Sequence, residues 1–347
     1  MKYAIILAGG KGRRLWPVSR KNLPKQFIDF FGCGKTLLQQ TYERMLKIVP
    51  KENILVVTHA AFENILHEQL PDLPQKNLIL EPINRNTAPA TLMALSSGMI
   101  PTEGDVIIVP ADQIVMNEEK LAEAFDAATD YINCYDCVLT IGVRPTRPEP
   151  GYGYLQMGGL VPATEKHPNP TTHYVKSFTE KPDRDFARMF MDSGEFLWNT
   201  GIYLSKAKYI SDQLIKIMGV DESMDYSMSP NLSIDMAILE KMPEKVVKEC
   251  SFGWADIGAW HGIYEAFSNA DMENVLVNKK SDLRAENATH NVISLPDGKL
   301  AVISGLSGYI VAEKDNVLLI CQKEDSSAMV RRLLGKIEAE EGMEEFV

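Results

Sequence analysis

The sequence predicts an α/β protein: a doubly wound, mostly parallel sheet within residues 1–270 and a small all-β part in 271–347. Three observations carry this. Five short runs, Tyr3 to Ala8, Ile54 to Thr58, Leu78 to Leu80, Val106 to Val109 and Val138 to Ile141, are mostly unbroken apolar, as strands covered on both faces must be. Segments of helical period lie between them, which implies right-handed strand–helix–strand crossovers. Beyond Asn274 the runs shorten and recur at roughly ten-residue intervals, the texture of a small all-β unit.

Taken in order, Tyr3 to Ala8 delivers the chain to a glycine cluster. In such sheets ligands bind beyond the carboxyl ends of the strands, so the loops there are where a site is expected. In Glu118 to Ile132, Leu121, Phe125, Ala128 and Ile132 fall at spacings of four, three and four and share one helix face. From Pro145 to Pro170, six prolines among glycines predict an excursion with hairpin elements. Alternation returns at Thr172 to Thr179 and continues to Phe267. The tail runs VLV, NVIS, AVIS, YIVAE and VLLIC fit a β-helix or sandwich, closed by a helix over Ser326 to Ala339.

Composition bounds the class. At roughly 150 residues per domain, 347 residues predict about two domains, long enough to fold without a disulfide or metal staple. Five cysteines, an odd number, do not form a secreted disulfide framework. The opening apolar run is too short for a signal peptide, and no run approaches the ~18 apolar residues of a membrane span, so a cytoplasmic protein without membrane partners is expected. A net charge of -11 argues against a nucleic-acid partner. Yet residues 1–28 hold Lys2, Lys11, Arg13, Arg14, Arg20, Lys21 and Lys25 and no acid. A cationic island in an acidic chain points to one anionic ligand held at one place. The opposite run, Glu338, Glu340, Glu341, Glu344 and Glu345, reads as a solvated tail.

The island surrounds Leu7-Ala-Gly-Gly-Lys-Gly-Arg-Arg-Leu-Trp-Pro17. Glycines after a buried strand let the backbone approach a ligand, and successive N–H groups form an anion-binding concavity. Two phosphate loops are excluded. A dinucleotide fingerprint needs a small residue where Leu15 stands, and a Walker A loop ending in Gly34-Lys-Thr36 needs a glycine where Asp29 stands. What remains is a glycine turn with Arg14 and Lys25, two cations suited to a triphosphate whose charge is neutralised during transfer. The bland alternative is a basic surface loop. Asp112 follows the run VIIVP and otherwise reads as a cap or turn residue.

These residues resemble the signature of sugar-1-phosphate nucleotidylyltransferases, and Leu15-Trp-Pro-x-Ser-Arg20 with Pro24-Lys-Gln-Phe27 is similar to the mannose-1-phosphate guanylyltransferase group. Further matches follow in order: Glu81-Pro-x-x-Arg-Asn-Thr-Ala-Pro89, Pro110-Ala-Asp112, Gly151-Tyr-Gly-Tyr154, Phe178-x-Glu-Lys-Pro182, Trp198-Asn-Thr-Gly201, Ser233-Ile-Asp235 and Trp254-Ala-Asp-Ile-Gly-Ala-Trp260. The resemblance implies a Rossmann-like nucleotidyltransferase sheet and transfer of GMP from GTP to α-D-mannose 1-phosphate, with Mg²⁺ as cofactor.

It also implies roles. Arg14 contacts the triphosphate, Lys25 sits on the phosphates near the reacting centre, and Asp112 with Asp256 holds Mg²⁺; these four are the catalytic set. Leu7, Gly9, Gly10, Gly12 and Arg13 cradle the nucleotide. Glu81, Arg85, Asn86 and Thr87 face guanine, although Asn86 or Thr87 before an apolar run also reads as a plain helix cap. Glu180, Lys181, Asn199 and Asp235 take the sugar phosphate, while Gly142, Tyr154 and Gly201 shape its pocket. Departures are Arg13 where the family has Thr, Gln113 where His is common and Asn84 where Gly is usual; the tail is too short for the isomerase domain of long members, which implies the short, monofunctional form. Left open are another sugar-1-phosphate such as glucose or fucose 1-phosphate, a catalytically silent nucleotide-sugar sensor, and a homodimer through the C-terminal part. Cys134-x-x-Cys137 reads as buried thiols, and none of the six His has metal-ligand spacing.

Overall fold

The computed structural model describes residues 1–10, 12–163, 171–221, 225–268, 273–324 and 326–347. Lys11, the end of the proline-rich excursion and the expected boundary at 270/271 lie outside the described residues. The strands are β1 (Lys2–Leu7), β2 (Ile54–His59), β3 (Leu78–Glu81), β4 (Asp105–Pro110), β5 (Gln113–Val115), β6 (Val138–Val143), β7 (Gly153–Leu160), β8 (Thr172–Glu180), β9 (Phe196–Lys206), β10 (Lys245–Cys250) and β11 (Trp254–Asp256). Six more follow: β12 (Val275–Leu276), β13 (Asp282–Glu286), β14 (Val292–Ser294), β15 (Leu300–Ser304), β16 (Tyr309–Lys314) and β17 (Val317–Gln322). The α-helices are α1 (Leu37–Leu46), α2 (Glu63–Gln69), α3 (Thr87–Leu95), α4 (Glu118–Ile132), α5 (Arg184–Ser193), α6 (Ala207–Met218), α7 (Trp260–Phe267) and α8 (Ser326–Ile337).

The chain divides into two compact units that interleave along the sequence. The first holds residues 1–9, 41–111 and 115–254; the second holds 10–40, 112–114 and 255–347.

The first unit is built on one sheet, ordered β3-β2-β1-β4-β9-β6-β10-β8-β7. Its first half is parallel, as the apolar runs predict: β1 pairs β2 with Ile5 opposite Leu55, and β4 with Ile5 opposite Ile108. The second half corrects the expectation of a mostly parallel sheet. β9 runs antiparallel to both β4 and β6, β6 is parallel to β10, and β10, β8 and β7 follow antiparallel. β7 then pairs back onto β9, Tyr154 opposite Trp198, so five strands close a barrel. The eleven-residue β9 makes this closure, since Phe196 to Trp198 serve β7 while Tyr203 to Lys206 serve β4. Ile5, Leu55, Val57, Val106 and Ile108 pack with Ala88 and Ala94 of α3 and Ile210 and Leu214 of α6. α4 spans the predicted residues; Asn117 caps it by accepting from the Lys120 N–H at 2.9 Å, with Glu118 and Glu119 at the positive end.

The second unit packs Leu15, Trp16 and Val18 with Ile257, Trp260 and Ile263, and with Val292, Ile310, Val330 and Leu334. β12, β14 and β16 are parallel, with Val292 opposite both Val275 and Ile310, partners 17 and 18 residues away; β13 and β15 pair likewise, Asp282 opposite Leu300. β17 folds back antiparallel on β16, and α8 follows where the tail helix was expected. Among the described residues no helix is long and apolar enough to cross a membrane. All five cysteines are unpaired; Cys137 is buried as expected, but Cys134 is exposed.

Candidate functional site

In the second unit the glycine loop is a short turn that side chains define. Gly12 has φ 58°, and a Cβ there would meet Ser19 Oγ at 2.8 Å and the Lys25 backbone N at 3.0 Å, so no other residue fits. Arg13 to Leu15 make one turn of 3-10 helix, anchored by Leu15, which is fully buried. The adjoining segment returns to the turn, where the Gln26 side-chain amide donates to the Gly10 carbonyl at 2.9 Å.

Lys25 is the centre of this unit's polar cluster. It is buried, and its Nζ lies 2.8 Å from Asp112 Oδ2 and 3.4 Å from Asp256 Oδ1 while donating to the Ile257 carbonyl at 2.9 Å. Burial pulls its pKa down, but the Asp112 and Asp256 carboxylates outweigh that and hold the ammonium above the ordinary lysine value. Two acids 144 residues apart thus meet on one cation. Arg14 joins them: a side chain at Gly258 would meet Asp256 Oδ2 at 3.0 Å and Arg14 Nη2 at 3.8 Å, which puts the guanidinium at the Asp256–Gly258 turn. Arg13 is turned elsewhere, paired with Glu338. Of the acidic run read as a solvated tail, Glu338 is therefore engaged, while Glu340, Glu341, Glu344 and Glu345 are exposed.

Could this cluster hold Mg²⁺? Its two carboxylates converge, and their side chains remain 23% and 31% exposed, so oxygens face both the cation and solvent. A hard ion bound by one or two protein carboxylates and completed by phosphate oxygens and water fits this donor set.

In the first unit Glu81 ends β3 and is 3% exposed. Its Oε1 accepts from the Tyr226 hydroxyl at 2.5 Å, and its Oε2 would lie 2.7 Å from a Cβ on Gly9, so the carboxylate packs close against that glycine. Burial raises the Glu81 pKa, an effect the Tyr226 hydrogen bond opposes. Leu7 closes β1 on the same sheet. Asn86 adopts φ 73° and caps α3, accepting from the Thr87 N–H at 2.9 Å, and Thr87 Oγ1 accepts from the Ile234 N–H at 2.8 Å. The cap reading thus holds for Asn86, while Thr87 bonds the chain before Asp235 instead. Arg85 donates to the Ser227 carbonyl.

The residues expected at the sugar phosphate form a second network in this unit. Asn199 Nδ2 donates to Asp235 Oδ1 at 2.7 Å, the Tyr203 hydroxyl donates to the same oxygen at 2.6 Å, and Asn199 Oδ1 accepts from the Gly201 N–H at 3.2 Å. Gly201 has φ 69° and lies close to Asp235, where a Cβ would stand 3.8 Å from Oδ1. Glu180 and Lys181 are paired with each other and stay largely exposed, able to meet a ligand. Gly142 and Tyr154 sit inside the barrel wall instead. A Cβ on Gly142 would meet Val247 at 2.7 Å, and Tyr154 is fully buried with its hydroxyl accepting from the Glu149 N–H.

Tyr226 and Tyr203, the hydroxyls that orient Glu81 and Asp235, went unseen in the sequence. Neither belongs to a local motif; a buried carboxylate in need of a donor is the only signal that asks for them.

The profile of the Nucleotidyl transferase family matches residues 3–273. Mannose-1-phosphate guanylyltransferase 2 of Escherichia coli O157:H7 is 31% identical over 93% of this chain and 70% of its own. The Mannose-1-phosphate guanylyltransferase of Klebsiella pneumoniae is 31% identical over 94% and 72%. Among solved structures, one from Thermus thermophilus described as a mannose-1-phosphate geranyltransferase superposes with a TM-score of 0.82 at 28% identity, covering 97% of this chain and 99% of that one. With the profile spanning more than three-quarters of its length and relatives alike over nearly all of it, the chain belongs to the nucleotidyl transferase family, in the group of the mannose-1-phosphate guanylyltransferases.

Proposed function

We propose that this chain transfers GMP from GTP to α-D-mannose 1-phosphate, giving GDP-mannose and pyrophosphate. The observation that carries the reading is the Lys25 ammonium held by Asp112 and Asp256 beside the Arg14 turn. A phosphate oxygen of the sugar attacks the α-phosphorus, and the bond to the bridging oxygen of pyrophosphate breaks. The nucleophile is already an anion, so the chain's task is alignment and neutralisation rather than proton transfer.

Lys25 and Arg14 supply fixed positive charge to the triphosphate, and the Gly9, Gly10 and Gly12 backbone lets it approach, while Arg13 reaches it only by leaving Glu338. Asp112 and Asp256 are the residues to hold Mg²⁺, which when bound would neutralise phosphate oxygens and orient them. Glu81 is the acceptor for the N1–H and 2-amino edge of guanine, with the Arg85 to Thr87 segment fixing the loop. Asn199, Glu180 and Asp235 take sugar hydroxyls and Lys181 the sugar phosphate; Gly142, Tyr154 and Gly201 hold the wall.

The profile ends near residue 273, which supports 1–270 as the catalytic segment and 271–347 as a small β segment, one that packs in a single compact unit with residues 10–40, 112–114 and 255–270. Its parallel pairings at 17 and 18 residues support a short β-helix there. Leu300 and Val302 on β15 and Leu318 and Ile320 on β17 are more than half exposed, apolar surface that supports a homodimer contact. Unpaired cysteines support a reducing compartment, the cytoplasm.

The test is pyrophosphate release with four nucleoside triphosphates crossed with mannose, glucose and fucose 1-phosphates. Turnover should favour GTP with mannose 1-phosphate; a preference for UTP or dTTP would reject the guanine assignment, and a preference for another sugar the mannose one.

A further inference from the structure

Short backbone bonds, the Val18 N–H to the Leu15 carbonyl at 3.1 Å among them, hold the described part of the phosphate loop. Within it, Leu15 N–H donates to the Gly12 carbonyl at 3.2 Å, Trp16 N–H to Arg13 at 3.4 Å and Ser19 N–H to Leu15 at 3.1 Å, with no longer helix or strand to brace them. Besides the Gln26–Gly10 bond, further bonds come from the other end of the chain, within the same unit. Trp16 Nε1 donates to the Phe346 carbonyl at 2.6 Å. Arg20 Nη1 donates to the Glu345 carbonyl at 2.8 Å, and its Nη2 to the Lys314 carbonyl at 3.0 Å, with Asp315 Oδ2 at 3.7 Å. Lys21 N–H donates to the Val347 carbonyl at 3.4 Å, and Arg13 pairs with Glu338.

Trp16 also reaches the metal-side segment. Its carbonyl accepts from the Trp260 Nε1–H at 3.1 Å, and Trp260, fully buried at the start of α7, lies four residues beyond Asp256. One residue therefore ties the tail to the turn bearing Arg14 on one side and to the segment bearing Asp256 on the other.

We propose that residues 338–347 clamp the phosphate loop through Trp16 and Arg20, which are positioning residues for Arg14 and Asp256 in the nucleotidyl transfer. This rests on the proposed function. The Arg13–Glu338 pair is exposed and contributes least. The indole N–H of buried Trp16 and the multiply bonded Arg20 guanidinium set the geometry, because both side chains are buried or nearly so and their bonds to the Phe346 and Lys314 carbonyls are half-buried. A small displacement of charged groups around a triphosphate costs rate and nucleotide affinity together, whereas sugar-phosphate groups in the other unit keep their own supports.

The experiment uses the full chain with Trp16→Phe, which keeps a smaller aromatic ring and removes the donor, and separately Arg20→Gln. Backbone hydrogen exchange across residues 12–19 should speed up at least about tenfold, and KM for GTP should rise about fivefold or more, with KM for mannose 1-phosphate unchanged. Wild-type exchange across 12–19 in both variants would overturn the proposal. So would a fall in kcat that tracks a lowered melting temperature while KM for GTP stays put, since that is loss of folded enzyme alone. If the wild-type protein turned over neither substrate, the functional reading would fail, and the exchange measurement would still decide the clamp.

Discussion

Lys25 keeps its charge in a buried place because two carboxylates reach it, and that is the residue-scale fact on which the chemistry turns. Its identity was legible in sequence: a lysine after a proline-pinned loop in an acid-free stretch has a phosphate-like partner to find. Asp112 was legible from its place just past a strand's carboxyl end. Glu81 was half legible, since the carboxylate could be named but not its donor, Tyr226, which stands 145 residues away and acts only once folded. That donor makes a prediction with a definite sign. Burial raises the Glu81 pKa and the Tyr226 hydroxyl opposes the rise, so the carboxylate proposed to take guanine is lost as pH falls through a value above the ordinary one. Tyr226→Phe removes the opposing term, so the acid limb of kcat/KM for GTP should move to higher pH. A pH–rate profile checks this; an unmoved limb, or one shifted to lower pH, contradicts it.

At the scale of elements, periodic and apolar patterning did most of the work it can do. α4 begins and ends where its four apolar residues and its Asn117 cap require, and β1 to β4 lie where unbroken runs place them. The barrel was invisible because closure depends on β7 returning to β9, a pairing between segments some forty residues apart that neither run announces. The tail was legible only in part: Glu340, Glu341, Glu344 and Glu345 are exposed as expected, but Glu338 pairs with Arg13 and the Glu345 backbone carbonyl serves Arg20. Two substitutions test the turns that carry the site. Gly12→Ala forces a Cβ into a left-handed position against Ser19 and the Lys25 backbone, so it should cost at least about 1–2 kcal/mol in urea unfolding and lower turnover about tenfold or more. Thr87→Val leaves the Ile234 N–H without its acceptor beside Asp235. It should cost about 1 kcal/mol and raise KM for mannose 1-phosphate more than KM for GTP, as steady-state kinetics would show.

For the whole molecule, the units interleave: residues 10–40 and 112–114 belong with 255–347, while the sheet belongs to the rest. A linear sequence reading cannot see this, because patterning reports which face a segment buries and not which distant segment covers it. The segments it could not join are the ones that bring Lys25, Asp112 and Asp256 together. The central claim, that this cluster conducts the transfer, is tested most directly by pyrophosphate release at saturating GTP and mannose 1-phosphate, titrated with Mg²⁺, for the wild type, Asp112→Asn and Lys25→Ala. The wild-type rate should rise with Mg²⁺ from near zero, and each variant should lose at least ~100-fold at any Mg²⁺ concentration, the scale of removing one electrostatic stabiliser. A variant turning over near the wild-type rate, or a wild type indifferent to Mg²⁺, would contradict it.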